Sequence, residues 1–532
     1  MSNLRFLKIG FNEPKRTKSQ TMKAFKFKDI FNCKSVSKVV LIYFLTHFQI
    51  LFCFSQVNQK TTLLYGFNRG EYNVGYQSIN AIDYSRSFEN IQGRQLSIMV
   101  WYPAESKNKE RILFQDYLKQ SKTDSSSWAT YFKQFSSDVR YEKLLNSSFL
   151  AKKNVSIGKG EIPIIIYSPG GYGDEFENYI LCELLASHGY IVAAHESKGP
   201  TSKDTKITSL GLLSQARDIE YTIQKVQETF PQSDVNNVGL IGWSWGGLAS
   251  TVVQIRNPNI DAVVSLDGSI SLHEDKLKST PYYSLQDINV PYLFVSASKT
   301  SNELNPFISK LKYSESLFIE YPFLEHGDFN SLVFNAYHFT DEQSDKMVKN
   351  ISSYRYLTST VIAFLNKSMI RNEQAQLSTL LSVQKEGNLI EYREIKSLPA
   401  PPSTDDFFQL FQTNSKEEIQ NIFEETYKRD STYIFFQPEE AINYAYALHY
   451  DFDLSQRAIQ LLTISTILFP NNYSTYGHLG NLYSKNGELP EALENFSKAH
   501  AMVSNDQMSS AAKQDFDWYT RSIERIKTKL KK

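Results

Sequence analysis

Val238-Gly239-Leu240-Ile241-Gly242-Trp243-Ser244-Trp245-Gly246-Gly247-Leu248 is the stretch from which the fold is read. Val238–Ile241 is a short apolar run of strand type, and Leu248–Ile255 has helical spacing. Between them a serine sits among glycines. A strand that turns at once into a helix leaves no room for side chains beside the turn, which is why glycines flank it. Such a turn lifts the serine hydroxyl above the sheet edge and points the next backbone N–H at a developing oxyanion. Ser244 is therefore the candidate nucleophile, and Trp245 supplies the candidate N–H. A G-x-S-x-G string alone is weak; the strand before it and the helix after it carry the argument.

A serine hydroxyl needs a base, and the base needs an orienting acid. In sheet enzymes with this turn the chain order is serine, acid, histidine. The histidines after Ser244 are His273, His326, His338, His449, His478 and His500. The last three lie in a helical tail, and His338 comes too long after the sheet. His326, in Leu324-Glu325-His326-Gly327-Asp328-Phe329, follows the apolar run Leu317–Tyr321 and is the candidate base. The acid is less plainly marked. The run Tyr292–Val295 leads into Ser296-Ala297-Ser298-Lys299, with no carboxylate before Glu303. Asp267, which ends the run Ala262–Leu266, is the favoured acid, and Glu303 is the fallback.

Outward from this centre, β-type runs alternate with helical patterns from Gly93 to about Phe323. Leu96–Tyr102, Ile162–Ser168 and Tyr190–His195 read as strands; Phe176–His188 and Leu212–Phe230 read as helices. Near-continuous apolar strands alternating with helices imply a mostly parallel sheet covered on both faces, an α/β architecture whose chemistry lies beyond the carboxyl ends of the strands. Ile162–Ser168 runs into Pro169-Gly170-Gly171-Tyr172-Gly173, where the Gly171 N–H is the second candidate oxyanion donor. Asp116–Val155, with Trp128, Tyr131, Phe132 and Phe135, interrupts the rhythm as an insertion that either shapes the substrate site or has no role.

From about Tyr65 to Leu365 the chain resembles the α/β-hydrolase enzymes near platelet-activating-factor acetylhydrolase and the dienelactone-hydrolase-like group. The pieces are Val74-Gly75-Tyr76 with Asp83-Tyr84-Ser85-Arg86, Arg94-Gln95-Leu96 through Trp101-Tyr102-Pro103-Ala104, and Tyr167-Ser168-Pro169-Gly170-Gly171, which has proline where histidine is common. Leu184 through Ala194, the serine turn and His326-Gly327-Asp328-Phe329 complete them. Asp267 stands 23 residues after Ser244, a spacing typical of the acetylhydrolase branch, whose acid follows the earlier strand. The resemblance implies a Ser244–Asp267–His326 triad, an ester substrate, and neither metal nor other cofactor. Dienelactone hydrolases themselves use a cysteine nucleophile; the serine here points to esters rather than dienelactones.

The chain has 532 residues, 57 basic and 57 acidic, and is 41% hydrophobic, a balance that excludes a disordered or nucleic-acid-coating protein. Three cysteines match no zinc spacing and make no disulfide framework. Residues 1–38 hold ten basic side chains against Glu13 and Asp29. Val39–Phe54 then is apolar except for Thr46, His47 and Gln49; at ~1.5 Å per residue it spans about 24 Å, short of a ~30 Å bilayer core. This predicts a signal peptide over residues 1–55, with Gln56 as first mature residue, or else a membrane anchor at 39–54. The expected protein is exported, and membrane contact arises only from an uncleaved anchor.

The expected domains are 56–370 for the hydrolase, 371–404 for a linker centred on Leu398-Pro399-Ala400-Pro401-Pro402, and 405–532 for a helical tail. Asp405–Tyr427 reads as one helix. Tyr476, Leu479, Gly480, Tyr483, Gly487, Ala492, Phe496 and Ala499 fall on the ~34-residue tetratricopeptide pattern, with a weaker copy around Ala445, Ala458 and Pro470. Such a tail packs on the hydrolase or binds a protein partner. Two readings stay open: an exported serine esterase acting on a small ester, and a partner-binding scaffold with an inactive hydrolase domain.

Overall fold

A computed structural model describes residues 62–64, 66–105, 110–121, 137–298, 306–340, 343–370, 374–503 and 510–531. The expected signal peptide, the Val39–Phe54 run, Glu303 and the four aromatics of the insertion lie outside these residues. Residues 62–532 form one compact unit.

β1 (Thr62–Leu64) and β2 (Phe67–Arg69) make a small hairpin. The main sheet has ten strands: β3 (Asn73–Phe88), β4 (Ile91–Ala104), β5 (Ala151–Lys153), β6 (Ile162–Ser168), β7 (Ile191–His195), β8 (Ser233–Trp243), β9 (Ile260–Leu266), β10 (Tyr292–Ala297), β11 (Ser316–Tyr321) and β12 (Glu391–Ile395). Their order is β12-β11-β10-β9-β8-β6-β7-β4-β3-β5. The six strands from β11 to β7 are parallel. The long β3–β4 hairpin joins β7 antiparallel.

The helices are α1 (Phe114–Gln120), α2 (Asp138–Leu145), α3 (Tyr179–Ser187), α4 (Ser209–Thr229), α5 (Trp245–Arg256), α6 (Ile270–Lys278), α7 (Leu332–Phe339), α8 (Asp345–Leu365) and α9 (Gln374–Glu386), then α10 (Thr404–Thr413), α11 (Lys416–Arg429), α12 (Pro438–Tyr450), α13 (Ser455–Leu468), α14 (Tyr473–Asn486), α15 (Leu489–Val503) and α16 (Ser510–Leu530).

The period-2 pleat sorts each apolar strand onto two faces. In β6, Ile164 and Ile166 pack with Leu212, Ala216 and Leu248 of α4 and α5. Ile165 and Tyr167 pack with Ile180, Leu184, Tyr354 and Val361 of α3 and α8 on the other side. Both faces are dry, as the continuous apolar runs predict. Arg94 of β4, fully buried, makes a fork to Asp218 of α4 at 2.8 and 2.6 Å and donates to the Gly199 carbonyl at 2.7 Å. A buried guanidinium survives only with such full pairing.

Parts of the insertion pack into the fold. Phe114, Tyr117 and Leu118 of α1 and Tyr141 and Leu144 of α2 are core residues. The Trp101 Nε1–H donates to the Tyr117 hydroxyl, which donates to Glu183 of α3, both at 2.8 Å.

The expected linker at 371–404 is corrected. It contains α9 and β12, and β12 pairs antiparallel with β11 as the last strand of the sheet. Glu391-Tyr392-Arg393-Glu394-Ile395 is too charged to read as a strand, yet charge is what a sheet edge carries to refuse further pairing. Only 396–403 runs without regular structure. The single helix expected over Asp405–Tyr427 is two, α10 and α11, because Ser415 caps α11 through Glu418 in a reciprocal capping box.

The tail is all helical. α12 to α16 stack as successive neighbours, and Gly480 lies against Phe496 where an added Cβ would come to 3.1 Å. Gly487 ends α14 at φ +86°, a left-handed cap that favours glycine. The tail core also takes in Tyr313, just before β11. Asp430 accepts from Lys312 Nζ at 2.8 Å and the Tyr313 hydroxyl at 2.7 Å, and Gln286 exchanges two hydrogen bonds with the Ile434 backbone. A cleft of about 650 Å³ runs along this seam, lined by Tyr282, Asp287, Lys312, Thr404 and Phe436. Among the described residues no helix is long and apolar enough to cross a membrane.

Candidate active site

β8 delivers Ser244 into the tight turn before α5. Its backbone is strained, at φ 51° and ψ −120°, and it occupies the helix N-cap position without capping with its side chain. The glycines are required by close approach. A Cβ on Gly246 would stand 2.0 Å from the Ser168 carbonyl oxygen, and one on Gly242 2.2 Å from the Gly246 backbone.

Asp267 follows β9, also in the left-handed region at φ 42°, and is 3% exposed. Its Oδ1 accepts from the Ala297 N–H at 3.0 Å, and its own N–H donates to the Val295 carbonyl at 2.7 Å. Both bonds reach the end of β10, so the acid after β9 leans across to the place where β10 ends. Oδ2 lies 2.6 Å from His326 Nδ1. His326 opens a 3₁₀ turn (His326–Phe329) soon after β11, and its Nε2 lies 2.9 Å from Ser244 Oγ. The imidazole is half exposed, while Asp267 is buried behind it. Carboxylate, imidazole and alcohol thus form one continuous line at the carboxyl ends of the strands.

The other histidines lie elsewhere. His338 on α7 packs among Phe334, Tyr337 and Phe339, where burial pushes its pKa down to about 4. His273 meets the Trp245 ring edge-on, 5.8 Å between centroids.

The loop after β6 sits against the serine turn. The Gly170 N–H donates to Glu177 Oε1 at 3.1 Å, and the Tyr172 N–H to Thr205 Oγ1 at 3.2 Å. Among the described residues, the N–H groups of Gly171 and Trp245 have no such partner. A Cβ on Gly171 would be 3.9 Å from Trp245 Cβ, so the loop after β6 packs against the serine turn at these two residues. The two tryptophans divide their work. Trp245 is 1% exposed and packs the turn from inside. Trp243 covers Gly170, sets its ring 5.4 Å from that of His326, and donates through Nε1 to the His326 carbonyl at 2.9 Å.

Several neighbours have no counterpart in the sequence reading. Ser269 Oγ lies 3.3 Å from Ser244 Oγ. The loop after β6 is tied to the histidine loop. The Ser331 N–H donates to the Glu177 carbonyl at 3.0 Å, and Asn178 Nδ2 to the Phe329 carbonyl at 3.2 Å. The Tyr354 hydroxyl of α8 braces Asn178 at 2.6 Å. Glu175, Glu177 and Glu183 are buried carboxyls, and desolvation pushes them up to about 7, 8 and 7. The helix read over Phe176–His188 begins only at Tyr179, and nothing in Asp174-Glu175-Phe176-Glu177-Asn178 marks its carboxyls as buried. Among the described residues no group of three or more His, Cys, Asp or Glu side chains is placed to hold a metal ion.

Residues 149–305 match the model of the dienelactone hydrolase family. No curated protein matches the chain. Among solved structures, a ferulic acid esterase from Streptomyces cinnamoneus is 17% identical, with a TM-score of 0.47, over 61% of this chain and 97% of that one.

Proposed function

We propose that the chain is a serine-type carboxylic ester hydrolase that works through an acyl-enzyme. One observation carries this reading: the line Asp267 Oδ2, His326 Nδ1, His326 Nε2, Ser244 Oγ, closed at 2.6 and 2.9 Å. The family match over residues 149–305 supports hydrolase chemistry on the same strands.

His326 takes the proton from Ser244 as the alcohol attacks the ester carbonyl, then gives it to the leaving alcohol. Asp267 holds the imidazole tautomer and stabilises the imidazolium. The N–H groups of Gly171 and Trp245 receive the oxyanion, each worth about 3–4 kcal/mol of barrier. Water, deprotonated by the same histidine, then frees the acyl group from Ser244. The enzyme is exported, and the helical tail offers a protein-binding surface of tetratricopeptide type.

A fluorophosphonate probe tests the reading. Labelling at Ser244 that disappears in Ser244→Ala and His326→Ala supports it. Folded protein that never labels, with a partner captured by residues 405–532, supports a scaffold instead. A chromogenic ester panel of rising acyl length then ranks substrates, with turnover limited to short chains marking an acetylhydrolase-like enzyme.

A further inference from the structure

Glu177 is a fully buried carboxyl beside the proposed site that the mechanism above does not use. It follows the glycine-rich loop after β6, and its Oε1 accepts from two donors, the Tyr167 hydroxyl at 2.7 Å and the Gly170 N–H at 3.1 Å. Gly170 directly precedes Gly171. By occupying the Gly170 N–H, Glu177 fixes the Pro169–Gly170 peptide, one residue before the Gly171 N–H that would face the reacting carbonyl, while the Gly170 carbonyl of the next peptide accepts from the Gly173 N–H at 2.9 Å. Through its own backbone carbonyl Glu177 also receives the Ser331 N–H, so one residue grips both the oxyanion loop and the histidine loop.

We propose that Glu177 is a positioning residue of the oxyanion loop, and that the loop is competent only while this carboxyl carries its proton. The proposal rests on the esterase reading of Ser244.

Burial and the nearby Asp174 favour the neutral form and outweigh the two hydrogen bonds from Tyr167 and Gly170, which favour the charged one. The groups that face Glu177 are Tyr167 from β6, Asp174 from its own loop and Cys182 from α3. None is a cation, and none of the ion pairs of the described residues includes Glu177. Burial pushes its pKa up to about 8. A carboxylate there would place an uncompensated negative charge behind the same loop whose N–H must stabilise a negative oxygen. Like charges in a low-dielectric site oppose each other, so ionisation removes part of what the two donors supply.

The sign follows. Below about pH 8 the carboxyl is neutral and the loop works. As pH rises through about 8 the charge forms, and attack by Ser244 slows. The test is the rate of fluorophosphonate labelling at Ser244 from pH 6 to 10, in the full chain, with near-UV circular dichroism on the same samples. For the wild-type protein the rate should fall at least tenfold between pH 8 and 10. Glu177→Gln, which keeps the acceptor and cannot ionise, should label within threefold of wild type at pH 7 and lose the alkaline fall. Glu177→Ala, lacking the acceptor, should label at least tenfold more slowly at every pH. An alkaline fall that persists in Glu177→Gln, a wild-type rate flat to pH 10, or a fall that only tracks loss of the near-UV signal overturns the proposal. Wild-type protein that never labels overturns the esterase reading itself.

Discussion

The indole N–H of Trp243 donates to the backbone carbonyl of His326 at 2.9 Å, so the residue before the proposed nucleophile holds the loop of the proposed base. Ser244 and His326 are 82 positions apart, and this bond fixes one against the other independently of their own contact. Trp243→Phe keeps a ring over Gly170 and loses the donor. A neutral hydrogen bond is worth about 0.5–1.5 kcal/mol, so kcat should drop up to about tenfold with little change in KM. Steady-state kinetics on a short-chain ester checks this; unchanged kcat removes the bond from the catalytic account.

Asp267 does two jobs with two oxygens. Oδ1 ties the end of β10, and Oδ2 faces the imidazole. Asp267→Asn keeps the backbone tie, and asparagine tolerates the left-handed φ. The variant should fold with a near wild-type melting curve while kcat falls by about four orders of magnitude, because an amide cannot hold the needed tautomer. Calorimetry and ester turnover on one preparation separate the two effects.

Glycines at the site differ in what they tolerate. Gly246→Ala drives a methyl into the Ser168 carbonyl at 2.0 Å, whereas Gly171→Ala meets only ordinary contacts of 3.7–3.9 Å. The first should cost about 1–3 kcal/mol of stability or abolish soluble expression. The second should melt like wild type. Denaturant midpoints compare them directly.

The buried carboxyls set a pH trend for stability. Glu175, Glu177 and Glu183 keep their protons in the folded state up to about pH 7, 8 and 7, whereas in the unfolded chain they ionise near ~4.3. Between these values the folded state binds more protons, so stability falls as pH rises. Asp83, Asp116 and Asp430 shift the other way; their contribution is fully present across this window and is lost only as pH falls below it, while His338, lowered to about 4, opposes the trend up to about pH 6.5. The melting temperature should therefore drop by several degrees from pH 5 to pH 8, and Glu175→Gln should shrink the drop. A flat or rising profile contradicts this.

Asp430 is the hinge pin of the tail, taking hydrogen bonds from Lys312, Tyr313 and Thr432. Asp430→Ala should loosen the tail by about 2–3 kcal/mol. Limited proteolysis within 396–403 should accelerate, while Ser244 labelling stays at its wild-type rate. Unchanged cleavage would mean the tail is held by other contacts.

Much of the central sheet could be read from sequence because its strands are buried on both faces, and runs such as Ile162–Ser168 have no competing pattern. The serine turn was legible because glycine spacing reports close backbone approach. Asp267 is less plainly marked in the sequence: only its position after a strand and the lack of a carboxylate between Tyr292 and Glu303 favour it. The tie between Glu177 and Ser331 joins residues 154 positions apart through a backbone carbonyl, which leaves no trace in side-chain identity. β12 was missed because its charges suit an edge and mimic a linker. The break at Asn414–Ser415 was missed because helical spacing continues across it.

β12 belongs to the main sheet, although it stands next to the helical module in the chain. A chain cut before Glu391 would leave β11 with a row of open amide and carbonyl groups along Ser316–Glu320, inviting another molecule to add its own strand there. The helical module follows β12 across 396–403 and is held on the body by its own contacts, Asp430 with Lys312 and Tyr313 and Gln286 with Ile434. Any trimmed version meant to stay monomeric has to end after Ile395, so that β12 stays on the sheet.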